Sequence, residues 1–451
     1  MTSTYGRAQK IRGAPHGLRL HIGLFGRRNG GKSSLLNALT HQDTALVSPQ
    51  PGTTTDPVRK AMELAPIGPV LFIDTAGTDD TGDLGAGRVR LSRRELDHVD
   101  LAILVAKAGL WGSTETALLE EFARRELPAV VAVSQIDRER PSFSALERLT
   151  ALGLPTVQVS AHSGEGLMDL RRMIVELVPD GLMKQPPLVV DRIPSGSTVV
   201  LVTPIDKEAP RGRLIAPQVQ VLRELLDKGH VSVVVQDAQL TDALNRLKEP
   251  PAAIITDSQV FGTLSAVAPQ EIPLSSFSIL FARAKGDLTV LTQGVVALER
   301  LRQRIHRQPP PRILIAEACS HHPIEDDIAR EKLPRWLTSH LGVQPDFTFA
   351  KGRDFPDLAG FELVVHCGAC VWNRRSMLSR ILQCQAAGVP ISNYGLVIGH
   401  LHGILDRALS LFPDVRRRYR EGLQSRVAPG TTGDTPAQPA AKAMGHGPVD
   451  R

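Results

Sequence analysis

The stretch Gly26-Arg-Arg-Asn-Gly-Gly-Lys-Ser33 constrains this chain more than any other. It fits the pattern GxxxxGK[ST], with an apolar strand-like run, Leu18 to Phe25, before it and a helical pattern, Ser34–Leu39, after it. Strand, glycine-rich turn and helix in that order make a phosphate cradle. Glycines let successive backbone N–H groups turn inward, and the helix N-terminus adds positive potential. In this frame Gly30 and Gly31 shape the turn, Lys32 reaches the β- and γ-phosphates, the Ser33 hydroxyl ligates Mg²⁺, and Ser34 opens the helix. The bland alternative is a glycine-rich turn with no ligand. Two later segments speak against it. Pro51-Gly-Thr-Thr-Thr-Asp56 is a polar loop that offers Thr54 to Mg²⁺ and the γ-phosphate. The apolar run Val70–Ile73 ends in Asp74-Thr-Ala-Gly77, where Asp74 would hold Mg²⁺ through water and the Gly77 N–H would sense the γ-phosphate. Loops so placed order around a triphosphate and are released on hydrolysis. The expected catalytic set is Lys32, Thr54, Asp74 and Gly77.

The base-reading segment departs from its usual form. P-loop GTPases commonly carry NKxD after a strand, whereas here Ala129–Val133 leads into Ser134-Gln-Ile-Asp137. Asp137 can accept from guanine N1–H and the 2-amino group, a pattern adenine does not offer. Ser134 stands for the asparagine and Gln135 for the lysine, so looser or weaker guanine recognition is expected. Val159-Ser160-Ala161-His162 occupies the place of the later loop of the SAK type. The nucleotide contacts are therefore expected from Asn29, Gly30, Gly31, Lys32, Ser33, Ser34, Thr54, Asp74, Ser134, Asp137, Ser160 and Ala161, with GTP and GDP as ligands.

Beyond this block, strand and helix patterns alternate twice more, which predicts mostly parallel sheets. Thr198–Val202, Val231–Val235 and Ala252–Thr256 read as strands, with helices at Gln218–Leu226 and Leu240–Leu247. After Pro309-Pro-Pro311 come a strand at Ile313–Ile315, a helix at Ile328–Leu341, a strand at Phe361–Val365, a helix at Arg374–Ala387 and a strand at Pro390–Asn393. The expected fold is α/β: a P-loop domain at 18–180, then two smaller parallel-sheet α/β domains at 188–306 and 312–412. An N-terminal extension, 1–17, and a basic then disordered tail, 413–451, flank them. The net charge of +6 gathers at the ends, in Arg7, Lys10 and Arg12 and in Arg416, Arg417, Arg418 and Arg420. With only three Trp and three Tyr, this speaks against a nucleic-acid surface. No secretory signal or membrane span is read, so a cytoplasmic protein is expected.

All four cysteines lie in the last third: Cys319, Cys367, Cys370 and Cys384. Cys319-Ser-His321 follows one predicted strand, and His366-Cys367-Gly-Ala-Cys370 follows another. In a parallel sheet the carboxyl ends of strands share an edge, so the two segments converge. Three thiols with His321 and His366 suit either a Cys₃His zinc site or a three-thiolate iron–sulfur site with one replaceable position. Cys384, within an apolar helix pattern, reads as a core thiol. A plain CxxC redox enzyme would leave Cys319 and the histidines unexplained.

The first block resembles the TrmE/Era class of P-loop GTPases. That resemblance implies K⁺ coordination by Asn29 and slow intrinsic hydrolysis, since Thr78 stands where Ras-type proteins have a catalytic glutamine. Joined to CxH…HCxxC and to the stretch Thr203–Ile215, it resembles the family of GTPases that mature the FeFe-hydrogenase H-cluster, over about residues 17–412. The resemblance implies a 4Fe–4S cluster on Cys319, Cys367 and Cys370, with His321 or His366 as candidate fourth ligand. It also implies a homodimer formed through the central domain and a transient di-iron subcluster as cargo. The implied partners are two radical-SAM maturases and apo FeFe-hydrogenase, with no membrane. A ribosome- or tRNA-associated GTPase with structural zinc is the alternative.

Overall fold

The computed structural model describes residues 19–40, 58–77, 95–143, 147, 149, 151, 153–178, 186–204, 214–304, 309–318 and 327–425. Thr54, Thr78, Cys319, His321 and most of Thr203–Ile215 lie outside that set.

The first sheet comprises β1 (Leu20–Phe25), β2 (Val58–Leu64), β3 (Gly68–Asp74), β4 (Leu101–Lys107), β5 (Ala129–Ser134) and β6 (Thr156–Gln158). Their order is β2-β3-β1-β4-β5-β6, with β2 antiparallel to β3 and the other pairs parallel. Helices α1 (Lys32–Thr40), α2 (Ser113–Arg124) and α3 (Leu167–Leu177) flank it. Alternation along each strand divides the core between two faces. Ile22, Leu24, Phe72, Ile103 and Val105 fill one side, and Phe25, Leu71, Ile73, Leu104 and Phe122 the other. A strand buried on both faces has no polar side to show, which is why β1 and β4 are continuous apolar runs in sequence, although β4 was not picked out from the sequence.

The second sheet contains β7 (Thr198–Val202), β8 (Val231–Val235), β9 (Ala253–Thr256) and β10 (Leu274–Ser276), in the order β10-β9-β7-β8, all parallel. Its helices are α4 (Ala216–Asp227), α5 (Leu240–Arg246) and α6 (Phe261–Val267). Two helices that the sequence reading did not separate follow: α7 (Phe277–Lys285) and α8 (Leu288–Arg304). The third sheet holds β11 (Arg312–Glu317), β12 (Asp346–Lys351), β13 (Leu363–His366) and β14 (Ile391–Asn393), in the parallel order β12-β11-β13-β14. Helix α9 (Leu333–Leu341), entered through a π-helical turn Ile328–Lys332, covers it together with α10 (Arg374–Ala386) and α11 (Tyr394–Leu401). The chain then forms α12 (Leu405–Ala408) and α13 (Pro413–Gln424).

The second and third sheets share one hydrophobic core, from Leu188 to Tyr419, with α7 almost wholly buried between them. Helix α8, read from sequence as part of the central domain, packs against β14 and α13. Its approach to β14 is so close that a Cβ on Gly294 would sit 2.1 Å from the Ile391 carbonyl oxygen. Strand β12 was also unread, because Asp346–Lys351 is half-exposed and carries no continuous apolar run.

Candidate functional site

The P-loop runs between β1 and α1, and its backbone takes conformations that favour glycine. Gly26 (φ +140°) and Gly31 (φ +93°) both lie at positive φ, and a Cβ on Gly26 would meet the Val105 carbonyl oxygen at 2.3 Å. Asn29 adopts the left-handed region too (φ +59°), a conformation asparagine tolerates better than most residues. The Lys32 ammonium lies inside the turn, donating to the Gly26 and Arg27 carbonyls at 3.1 and 2.8 Å. The Ser33 hydroxyl donates to Asp74 Oδ2. Asp74 is 9% exposed and its Oδ1 is buried with no hydrogen-bond partner. Burial pushes its carboxyl above the ordinary value, against the Ser33 hydrogen bond and the charges of Lys32 and Lys60. A buried carboxylate oxygen without a partner, beside a serine hydroxyl and a lysine, is a fit for a hydrated magnesium ion. Gly77 approaches the P-loop closely, since a Cβ there would lie 2.8 Å from the Arg28 backbone nitrogen.

The altered base-reading loop acts on the P-loop itself. Ser134 donates to the Gly30 carbonyl at 2.6 Å, and Gln135 Nε2 donates to the Asn29 carbonyl at 2.9 Å. Ser134 is buried and braces the turn from behind, so its proton is committed to the P-loop rather than to a base. Asp137 accepts from the Ser160 hydroxyl at 2.7 Å, a bond that holds its carboxyl below the ordinary range. Ser160 thus stands beside Asp137. Sequence reasoning missed Arg27, which forks onto Glu115 at 2.7 and 2.9 Å and ties the P-loop to the start of α2. An Arg at an x position of the motif carries no signal for that role.

The cysteine loop leaves the carboxyl end of β13. The Cys367 N–H donates to the Ala316 carbonyl at 2.9 Å, and the Ala318 N–H reaches Cys367 Sγ at 3.1 Å. The end of β11 therefore lies alongside Cys367, as predicted for neighbouring parallel strands. Cys370 follows Ala369, whose φ of +50° turns the loop back. Burial raises the Cys370 thiol pKa, against the nearby Lys285 charge. Lys285 is only 1% exposed, donates to the Trp372 carbonyl at 2.8 Å, and burial brings its pKa down to about 8. Arg380 stacks on Phe355 and Trp372, 4.3 Å from each ring, with Cys367 among the groups whose charge it senses. Two thiols with buried cations around them fit an anionic metal–thiolate group, since thiolates need compensating charge in a dry shell.

His366 corrects one expectation. It is fully buried at the end of β13, with Nδ1 2.8 Å from the Cys367 carbonyl and Nε2 2.9 Å from Arg380. Burial lowers its pKa to about 3, so it stays neutral, donating through Nδ1 and accepting through Nε2. Both nitrogens are used, and as placed His366 organises the loop rather than offering a ligand. Cys384 is fully buried in α10, the core thiol expected.

The loop beyond Cys370 also meets the first domain, at the sheet edge opposite the P-loop. Asn373 donates to the His98 carbonyl and to Asp100, each at 3.0 Å, and His98 Nδ1 lies 2.9 Å from the Ser376 hydroxyl. Trp372 packs its ring 5.8 Å from His98 and 5.6 Å from His366. Arg375 donates to the Arg125 carbonyl at 2.7 Å, and Arg353 pairs with Glu95. Asp100, buried and with its pKa raised by that burial, also accepts from the His21 N–H at 2.8 Å. Nothing in the sequence signalled this junction, because its partners are some 275 residues apart.

Three family models match the chain: a 50S ribosome-binding GTPase over 21–135, a hydrogen maturase F dimerization domain over 188–286, and a hydrogen maturase F tetramerization domain over 289–411. Among curated proteins, the tRNA modification GTPase MnmE of Koribacter versatilis is 34% identical over 160 residues, 35% of this chain and 34% of that protein. MnmE of Heliobacterium modesticaldum is 35% identical over 186 residues, 40% of this chain and 37% of that protein. The chain thus spans little more than a third of the length of these relatives. Among solved structures, the G domain of the T. maritima FeoB iron transporter is 29% identical, covering 36% of this chain and 99% of that one with a TM-score of 0.29. No described helix is long and apolar enough to cross a membrane.

Proposed function

The chain belongs to the hydrogen maturase F family, and on that premise we propose that it is a GTP-hydrolysing scaffold that carries a 4Fe–4S cluster and delivers the di-iron precursor of the H-cluster to apo FeFe-hydrogenase. The observation that carries this reading is the company Cys367 and Cys370 keep. A loop at a parallel-sheet edge, with buried Lys285 and Arg380 beside it, sits in the same chain as a complete phosphate cradle. Cys367 and Cys370 would hold the cluster with Cys319, with His321 as the remaining candidate for the fourth position. The cluster supplies an iron with one exchangeable position at which cargo can dock. Lys285 and Arg380 compensate thiolate charge, and Trp372 with Phe355 keeps water from the guanidinium.

At the nucleotide edge, Lys32 binds the β- and γ-phosphates, Ser33 and Asp74 hold Mg²⁺, and Thr54 and Gly77 respond to the γ-phosphate. Asp137 with Ser160 and Ala161 would select guanine, and Asn29 would hold K⁺, which would supply positive charge for phosphoryl transfer. Glu95–Asp100 is the part of the first domain that touches Trp372, Asn373 and Arg353, and Asp100 also accepts from the N–H of His21 on β1. Nucleotide state can therefore reach the cysteine loop across β1, a strand about 20 Å long. Copies of the chain would pair through the central domain. There β8 is an edge strand with Val231 and Val234 exposed at 55% and 42%, a ready surface for a second copy. The maturases and the hydrogenase would act in the cytoplasm.

The test is anaerobic reconstitution with iron and sulfide followed by electron paramagnetic resonance. A reduced 4Fe–4S signal that vanishes in Cys367→Ala supports the reading, and stoichiometric zinc with no iron chemistry overturns it. Replacing K⁺ by Na⁺ should slow GTP hydrolysis; an unchanged rate removes the Asn29 role. The tRNA-associated alternative draws on relatives that align with roughly the first domain alone.

A further inference from the structure

We propose that Glu299, His340 and His400 form a second metal site, for a zinc-class divalent ion, separate from the cysteine loop. The three side chains come from three helices, α8, α9 and α11, and their donor atoms lie within 4.8 Å of one another. His340 Nε2 is 3.2 Å from Glu299 Oε2, and His400 Nε2 is 3.5 Å from the same oxygen. Both imidazoles therefore aim their outer nitrogens at one carboxylate oxygen.

Glu299 and His400 are held as ligands would be, and His340 Nε2 lies within hydrogen-bond distance of Glu299 Oε2. The His400 side chain is 10% exposed, and its Nε2 is buried without a well-formed hydrogen bond. Its other nitrogen, Nδ1, lies 2.8 Å from the Tyr419 hydroxyl, itself buried on α13. In the tautomer with the proton on Nε2, that N–H points at Glu299 Oε2, 3.5 Å away, and metal binding releases the proton. In the tautomer with the proton on Nδ1, donated to Tyr419, the Nε2 lone pair faces Glu299 and a cation between them is favoured. A ligating histidine is oriented in this way by an acceptor on its far side. Arg302 donates from Nε to Glu299 Oε1 at 2.8 Å, which leaves Oε2 for the imidazoles. Arg302 also brings a positive charge that opposes a cation, but it is half-exposed and a monodentate ligand through Oε2 leaves its bond intact.

The protonation states suit a metal. Burial depresses the pKa of His340 and His400, and although burial would raise Glu299, the Arg302 hydrogen bond and charge bring it below its ordinary value. Neutral imidazoles and an ionised carboxylate are what a divalent ion requires. A cleft of about 580 Å³, lined by His400, Gly403, Asp406, Tyr419 and Arg420, reaches the His400 side of the group. Two imidazoles and one carboxylate with a fourth position open to water is a zinc donor set. The bound ion would clamp α8, α9 and α11 together on the third sheet. The alternative is a hydrogen-bonded polar junction between helices, which predicts no metal affinity.

The experiment uses the full chain with Cys319, Cys367 and Cys370 replaced by serine, so that thiolates cannot take the ion. Cobalt(II) is titrated as the probe, and zinc-loaded protein is examined by X-ray absorption. The expected result is one cobalt per chain with weak ligand-field bands, no sulfur-to-metal charge transfer, and a nitrogen/oxygen zinc shell that includes imidazole. Glu299→Gln and His400→Gln should each weaken binding at least about 100-fold, and Tyr419→Phe by about 10-fold, with GTP hydrolysis unchanged. Absence of cobalt binding overturns the proposal, as does binding that survives Glu299→Gln and His400→Gln. Should those variants fold poorly, the zinc shell of the parent still decides, since a shell without imidazole rules the site out.

Discussion

The P-loop follows the carboxyl end of β1, and the cysteine loop follows the carboxyl end of β13, so the two share a topological position. Their materials differ. The P-loop works through backbone amides on glycine turns, with Lys32, Ser33 and Asp74 at fixed spacing around them. It lies at an edge where Asn29, Ser33 and Ser34 are exposed. The cysteine loop works through side chains, and its supporting charges arrive from elsewhere: Lys285 from α7, Arg380 from α10, and the His98–Asp100 segment from another domain. A site made of local backbone can be recognised by spacing alone. One made of convergent side chains shows only its ligands in sequence, and its electrostatics stay hidden.

That contrast can be broken by experiment. The largest effect is expected from Ser33→Ala or Asp74→Asn, which should cut GTP hydrolysis by about 10²–10³-fold while leaving iron content after reconstitution unchanged. Equal loss of iron would show that the two sites are not separable. Lys285→Met comes next. It removes the buried charge beside Cys370, so cluster content should fall severalfold and the cluster potential should drop, with hydrolysis within twofold of the parent. Unchanged potential would show that Lys285 is only a packing element.

The junction should respond to acid. Burial, with the charges of Arg380, His21 and Arg59, lowers the His98 pKa from 6.5 to about 4. Between those values the unfolded chain binds a proton that the folded junction refuses, so stability is full above pH 6.5 and falls as pH drops toward 4. The loss is on the order of 3 kcal/mol at most. Hydrogen-exchange protection factors (rates corrected for the intrinsic effect of pH) at the amides of residues 95–100 and 372–376 should fall between pH 7 and pH 5, less so in His98→Asn. An identical fall in protection in both proteins would remove His98 as the cause. The smallest effect is expected from the double change Ser134→Asn, Gln135→Lys, which should tighten GDP binding by up to about tenfold, the worth of one added hydrogen bond. Unaltered affinity would show that Ser134 and Gln135 already brace the P-loop as well as the usual pair.

Much of the fold was legible because buried parallel strands are short apolar runs. Strands β1, β3, β5, β7, β8 and β11 were read close to their bounds. Helices α7 and α8 were not separated as elements, and β12 was missed because Ala350 alone of its six residues is buried. The shared core of the second and third sheets was invisible for a different reason. An apolar helix face does not say which sheet it will cover, and Gly294 acquires its meaning only when Ile391 lies against it. The role of His366 turned on Arg380, fourteen residues further on, which takes the nitrogen a metal would need.

By itself the sequence determined the phosphate cradle, the parallel α/β class and the identity of the candidate thiol ligands. These depend on local spacing and on strand ends, which backbone geometry converts directly into position. Only the tertiary structure decided which side chains surround those ligands. It put Lys285 and Arg380 beside the thiols, set the cysteine loop against the first domain, and brought Glu299, His340 and His400 to one point. Such groups are brought together by helix and sheet packing across tens to hundreds of residues, and no local pattern encodes which of them will meet.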